Sequence, residues 1–321
     1  MPSSRTNKKE IQWDKYMVYF IFVGVFIVFA IALGSKGFLN ANNLINILRQ
    51  TAVISIIAVA GTFVMAAGQI DLTVGAVAAM TAMIVSLILE KTNSIILALA
   101  VGVVFGALIG LVNGVLVTRF GLPAFLATMG MMQMIRGSAM WITDTAAVPI
   151  SNETFCQIFG IGSVGPVPVL VIWTILFYII GIILFNKTPF GRHILATGGN
   201  ETSAGYSGIN TMKVKITAFI MSGAFAAFGG ILYAGRLQAG RYSYGDGDEM
   251  SVIAAVVIGG TSMSGGTGSV IGALFGSILM GMINNALILA NLSSAQQTVV
   301  KGAIIVLSVA VSNIAQKKKK N

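Results

Sequence analysis

Ten carboxylates, one histidine and one cysteine are the whole stock of carboxylate, imidazole and thiol side chains in 321 residues. His193 and Cys156 stand alone, so no His/Cys cluster can hold a metal, and none is expected. The glycine-rich run 259–269 (GGTSMSGGTGS) looks like a phosphate cradle, but such a loop needs a lysine and a hydroxyl after its last glycine. Here Gly268 is followed by Ser269 and Val270, so the run does not bind ATP by that motif. There is no H-E-x-x-H, no G-x-S-x-G and no pair of carboxylates within the apolar stretches. No residue is assigned a catalytic role, and no cofactor is expected on this chain.

The remaining candidates are polar groups inside apolar stretches, which are costly in lipid and therefore candidates for function. Arg136 shares one helical face with Met129, Gln133 and Met140. That face either lines a hydrophilic pathway for a polar solute or holds a structural hydrogen bond to a loop carbonyl. Asp71, in the tight connection GQIDLT, is expected to cap the helix that follows it, where a carboxylate meets unpaired amides and the positive dipole end. Proton coupling is the competing role for Asp71. Asn113, Asn284 and Asn285 are read as interhelical hydrogen-bonding groups before solute contacts.

The composition says what must position these groups. Hydrophobic residues make up 56% of the chain and charged residues 9%, with a mean hydropathy of +0.88; a soluble domain carries about 25% charged residues. The exterior must therefore face lipid. Apolar segments fall at about 17–33, 44–67, 72–89, 94–117, 122–142, 168–185, 214–234, 250–263, 268–290 and 296–314. The expected fold is all-α, a polytopic bundle of about ten transmembrane helices. Residues 1–16 form an N-terminal tail, 17–314 one transmembrane domain and 315–321 a basic C-terminal tail. Segment 250–263 is short and runs into Gly259 and Gly260, and is counted as a shortened or broken crossing.

The net charge of +10 is an orientation signal and not a nucleic-acid-binding face. An even number of crossings puts both tails on one side, and thirteen of the twenty basic residues then lie on that side against four on the other. The positive-inside rule makes both termini cytoplasmic. Gly102, Gly106, Gly110 and Gly114 recur every fourth residue, and Gly268, Gly272 and Gly276 repeat the device, so close helix contact is expected at both. A weak internal echo links Gly61–Ala76 (GTFVMAAGQIDLTVGA) with Gly260–Ala273 (GTSMSGGTGSVIGA), an arrangement seen in transporters with internal repeats. The longest inside loop, 186–213, contains a short helix over Glu201–Ser207 with Asn200 as its cap and Gly208 as its end. It is either a docking element for a soluble partner or an ordinary connection.

The segments NLINIL (43–48), GQIDLTVG (68–75), GRHILATGGN (191–200), GIN (208–210) and AAVVIGGTSMSGGTG (254–268) resemble the permease subunits of ribose-type ABC sugar importers. The resemblance runs from about residue 38 to 314, in order and at the expected spacings. It implies a ten-span permease like those of type II ABC importers, in the cytoplasmic (inner) membrane of a bacterium, with two copies or two paralogues forming the pore. It further implies a cytoplasmic ATPase that binds ATP and magnesium, and a periplasmic or lipid-anchored sugar-binding protein. The coupling loop on the ATPase would then carry Gly191, Arg192, Gly198, Gly199, Asn200, Glu201 and Gly208. Many relatives have basic residues where this chain has Thr267 and Ser269, so a basic contact from that turn is not expected. Permeases for branched-chain amino acids or nucleosides are the related alternatives, and an ion-coupled secondary transporter is the alternative outside the class.

Overall fold

The computed structural model describes residues 13–320; residues 1–12 of the expected N-terminal tail and Asn321 of the C-terminal tail lie outside the described residues. The long helices are α1 (Trp13–Leu33), α2 (Ala41–Ala66), α3 (Val74–Thr92), α4 (Ile95–Thr118) and α5 (Ala124–Ile142). After strand β1 (Val148–Pro149) come the short α6 (Glu153–Cys156) with a π-turn at 157–161, and the hairpin β2 (Ser163–Val164) and β3 (Val167–Pro168). Helices α7 (Val169–Lys187), α8 (Pro189–Gly199), α9 (Glu201–Tyr206) and α10 (Thr211–Leu237) follow. Strand β4 (Ala239–Gly240), α11 (Asp248–Ile258), α12 (Val270–Leu289) and α13 (Ser294–Lys320) complete the chain.

Each of the ten apolar segments lies wholly or largely on a helix, but they are not equivalent. Among the described residues, seven helical segments are long and apolar enough to cross a membrane: 18–36, 41–66, 74–92, 95–118, 169–187, 211–237 and 270–289. The expected count of about ten therefore reduces to seven by this measure. Helix α5 carries Gln133 and Arg136, α13 is too polar, and α11 has only 11 residues. The inside loop also differs from expectation. Residues 189–199 form a helix of their own, so 186–213 holds two short helices where the sequence pattern predicts one.

Helix α10 is the organising element, lying against α2, α3 and α4. Its glycines explain how closely they approach. A Cβ on Gly106 of α4 would strike the Gly223 carbonyl of α10, and one on Gly110 would strike that of Phe219. The four-residue glycine repeat of α4 is thus spent on α3 and α10 inside this chain, where backbone contact replaces the hydrophobic force that lipid cannot supply. Gly272 and Gly276 of α12 serve the same purpose against Gly259, just past the end of α11, and Ala255 within it. Helix α2 is the most enclosed, with Val53, Ile56, Ile57, Val59 and Phe63 fully buried, while α5 buries only Ala127, Thr128, Ile135 and Ala139.

Candidate functional site

Three glycine-rich backbone segments meet at one end of the bundle. The Gly266 amide donates to the Ala66 carbonyl at 2.9 Å, joining the end of α2 to the turn after α11. The end of α8 sits on both. A Cβ on Gly198 would strike the Ala66 carbonyl and lie 2.7 Å from the Gly266 nitrogen, while one on Gly265 would lie 2.6 Å from the Gly198 carbonyl. A Cβ on Gly68 would face the Ser264 carbonyl and the Gly198 Cα at 3.6 and 3.9 Å. Gly68, Gly265 and Gly266 have φ of +74°, +83° and +79°, a region that other residues enter at a cost. The two halves of the internal echo are therefore side by side, and α8 rests on both.

The rest of the α8–α9 unit is built to hold this seat and leave a face free. Gly191 packs so closely on the Phe185 carbonyl that no side chain fits, which lets α8 fold back from α7. Ile194 and Thr197 are buried, while Arg192 and His193 point outward. The Asn200 side chain accepts the Ser203 amide at 2.9 Å and so caps α9, which Gly208 follows with a φ of +84°. In α9 only Ala204 is buried, and Tyr206 is 89% exposed. Glu201 pairs with Lys215 of α10 at 2.6 Å, an exposed contact of the kind worth about 0–1 kcal/mol. A Cβ on Gly199 would lie 3.7 Å from the Gly266 Cα, an ordinary van der Waals contact, so this glycine is less tightly held than Gly198.

A second polar region lies deeper. The link between α2 and α3 is non-helical over 67–73, and the carboxylate expected to cap α3 does not reach its first-turn amides. Helix α3 starts at Val74, too far along the chain, so Asp71 Oδ1 instead accepts the Thr73 amide at 2.9 Å and the Thr73 hydroxyl at 2.5 Å. Asn113 of α4 donates to that same hydroxyl at 3.1 Å, and the Thr128 hydroxyl of α5 lies 3.4 Å from the Ile70 carbonyl. Asp71, Thr73 and Asn113 are all buried. The Asn113 amide nitrogen is thus engaged by the link, while its Oδ1 is buried without a hydrogen-bond partner among the described residues.

After α10 the chain pairs briefly with β1 through β4 and then runs against the bundle as irregular backbone over 241–247. Gly240 packs on Ala82 and Met83 of α3, and Gly245 meets Gly75 at the start of α3. Its carbonyls are served by Arg136, whose Nη1 donates to Tyr242 O at 2.6 Å and to Tyr244 O at 3.1 Å. Irregular backbone at membrane depth is tolerated only when such groups are satisfied within the protein. Of the residues sharing the α5 face with Arg136, Gln133 is exposed, Met140 is 39% exposed and Met129 is half-buried. Asn284 is half-buried on α12, away from these groups in sequence, and its neighbour Asn285 pairs with Asn43 of α2 by reciprocal amide bonds of 3.0 and 2.8 Å.

Sequence reasoning misses three of these features. Asn43, Thr73 and the buried Glu249 do not stand out in the sequence. The structure buries Glu249 against Gly75 and bonds Asp248 to the Tyr233 hydroxyl at 2.6 Å. The run RYSYGDGDE, glycine-broken and polar just before a short apolar segment, is the signal that could have found them. Among the described residues no group of three His, Cys, Asp or Glu could hold a metal.

A bundle with seven helices long and apolar enough to cross a membrane, polar links inside and a short helical pair seated on one end is that of a polytopic membrane protein. The profile of a family described as "Branched-chain amino acid transport system / permease component" matches residues 43–309, and the chain belongs to that family. The ribose import permease of Bacillus subtilis strain 168 is 37% identical over 95% of this chain and 96% of its own length. The L-arabinose ABC transporter permease of Azospirillum brasilense is 34% identical, covering 89% and 85%. The D-allose transport system permease of Escherichia coli K12 is 34% identical, covering 95% and 93%. No solved structure matches the chain.

Proposed function

We propose that this chain is the membrane-spanning subunit of an ATP-driven importer for a monosaccharide. The observation that carries the reading is that permeases named for ribose, arabinose and allose match along nearly its whole length. In this reading the chain crosses the inner membrane of a bacterium ten times, with α5, α13 and the segment 238–258 as the three crossings that hydropathy alone does not count. Both termini are cytoplasmic. A second copy or a paralogue completes the pathway, with the Met129, Gln133, Arg136 and Met140 face of α5 toward it.

The α8–α9 unit, with Arg192, Gly199, Asn200 and Glu201, docks on a cytoplasmic ATPase, which binds ATP and magnesium and carries out hydrolysis. A binding protein delivers sugar at the opposite end. The outward face of α9 suits docking because almost none of it is used for packing inside the chain. ATP binding closes the ATPase pair, α8–α9 moves with it, and the bundle opens to the cytoplasm. The test is reconstitution in vesicles with the cognate ATPase and binding protein. Uptake of labelled ribose, arabinose or allose that requires ATP is the expected result, and uptake driven by a proton or sodium gradient without ATP would overturn the reading.

A further inference from the structure

The seat of α8 and the clasp of Arg136 lie at the two ends of one short stretch of chain. Residues Ala66 and Gly68 touch Gly198 and the 264–266 turn. Seven residues on, Gly75 touches the other polar region. A Cβ on Gly75 would strike the Gly245 carbonyl and lie 2.7 Å from Glu249 Oε2, and a Cβ on Gly245 would lie 2.7 Å from the Gly75 carbonyl. Both contacts run through main chain, which cannot yield by rotating a side chain.

Between these two joints the link is fastened, so it cannot simply flex. Thr73 is held by Asp71 on its own segment and by Asn113 of α4, and its carbonyl starts the first turn of α3 by accepting the Val77 amide at 2.8 Å. The element it reaches is the opposite in character. Residues 241–247 have no helix or ladder of their own, and Arg136 supplies the donors for Tyr242 and Tyr244. A fastened element in main-chain contact with a loosely built one can shift it without being deformed itself.

We propose that residues 66–75 form a transmission link, which carries displacement of the α8–α9 unit through the Gly75–Gly245 joint to the 241–249 segment held by Arg136. This rests on the reading of α8–α9 as the docking unit for the ATPase. Gly75, Gly245 and Thr73 are positioning residues in this scheme. They touch neither solute nor nucleotide, and their role is to make movement at one end felt at the other.

The experiment uses the assembled transporter in vesicles, in a Cys156→Ser background that leaves the chain without a cysteine. One reporter cysteine is introduced at Gln69, beside the seat, or at the exposed Ser243, in the held segment. The rate of maleimide labelling is read with and without ATP and magnesium. The unaltered link should give a change of about fivefold or more at both reporters, in the range of ordinary coupling energies. Adding Gly75→Ala should keep the change at Gln69, abolish it at Ser243, and lower uptake about tenfold while ATP hydrolysis persists. Thr73→Val keeps the side-chain shape and removes the hydroxyl that joins Asp71 to Asn113, so it unfastens the link at a cost in stability and supplies the same test, with a partial effect, if Gly75→Ala does not assemble. If the response at Ser243 survives both substitutions, the proposal is overturned and the docking reading stands. If Gln69 does not respond to ATP even without them, the docking reading falls and takes the proposal with it.

Discussion

The two halves of the internal echo start alike and end differently. In both, an apolar helix and a Gly-Thr pair lead to a glycine turn against Gly198, the pair lying inside α2 in the first half and after the end of α11 in the second. After the second turn only Thr267, Gly268 and Ser269 precede α12, and Ser269 caps it by accepting the Gly272 amide at 2.9 Å. After the first turn the chain runs on through Gln69, Ile70, Asp71 and Leu72 before α3 begins, and Thr73 gives no side-chain cap. The second half carries no charge at all between Gly260 and Ala273, whereas the first carries a buried carboxylate with partners on its own link and, through Thr73, on α4. The same turn thus serves once as a plain corner and once as the start of a polar link into the bundle, and beyond the turn the first link is longer by two residues.

Gly198 is the point that both halves share, so its substitution should have the largest effect. Gly198→Val places a branched side chain against the Ala66 carbonyl and the Gly266 amide, both of them backbone. Overpacking of this kind costs about 1–3 kcal/mol where the surroundings can give, and main chain gives least. Loss of ATP-dependent uptake is expected, together with weaker co-purification of the ATPase. Uptake at the parental rate would mean that the two turns do not depend on a common seat.

Asp71→Ala acts on the first half alone. It removes the acceptor of the Thr73 amide and hydroxyl, both buried, and leaving such groups without partners costs about 1–3 kcal/mol. A lower thermal midpoint in detergent, with ATPase co-purification unchanged, is the expected result. Asp71→Asn keeps an acceptor oxygen for Thr73 and should recover part of that loss. Equal melting of the alanine and parent proteins would make the first link as plain as the second.

Much of this arrangement is legible in the amino-acid sequence, and what is not follows a physical pattern. The helices are legible because a membrane crossing demands a run of apolar residues, and α1, α4 and α7 supply the most apolar ones. The Asn200 cap and the Gly208 stop are legible because capping depends on residues three or four apart. The clasp is not. Arg136 meets Tyr242 across 106 positions, and nothing local tells an arginine on an apolar face whether carbonyls or solute await it. Asp71 shows the same limit at short range. Its type suggests a cap, but the helix starts two residues later than the hydropathy indicates, and the carboxylate serves Thr73 instead. Within 241–249 the burial of Gly245 and Glu249 is not legible, because it depends on Gly75, a residue that a hydropathy scan treats as neutral.

Ser269→Ala should have the smallest effect, because it touches the second half at its one specialised feature. The hydroxyl satisfies a single amide at the start of α12, and losing a serine cap costs about 1 kcal/mol. The Ser269 amide lies 3.3 Å from the Thr261 hydroxyl and does not depend on the side chain, so the turn itself should keep its form. A small fall in thermal midpoint is expected, with uptake and its coupling to ATP hydrolysis unchanged. The contrast with Asp71→Ala then measures the asymmetry directly. If Ser269→Ala uncoupled uptake from hydrolysis while Asp71→Ala did not, the transmitting half would be the second one, and α12 would take over the role of α3.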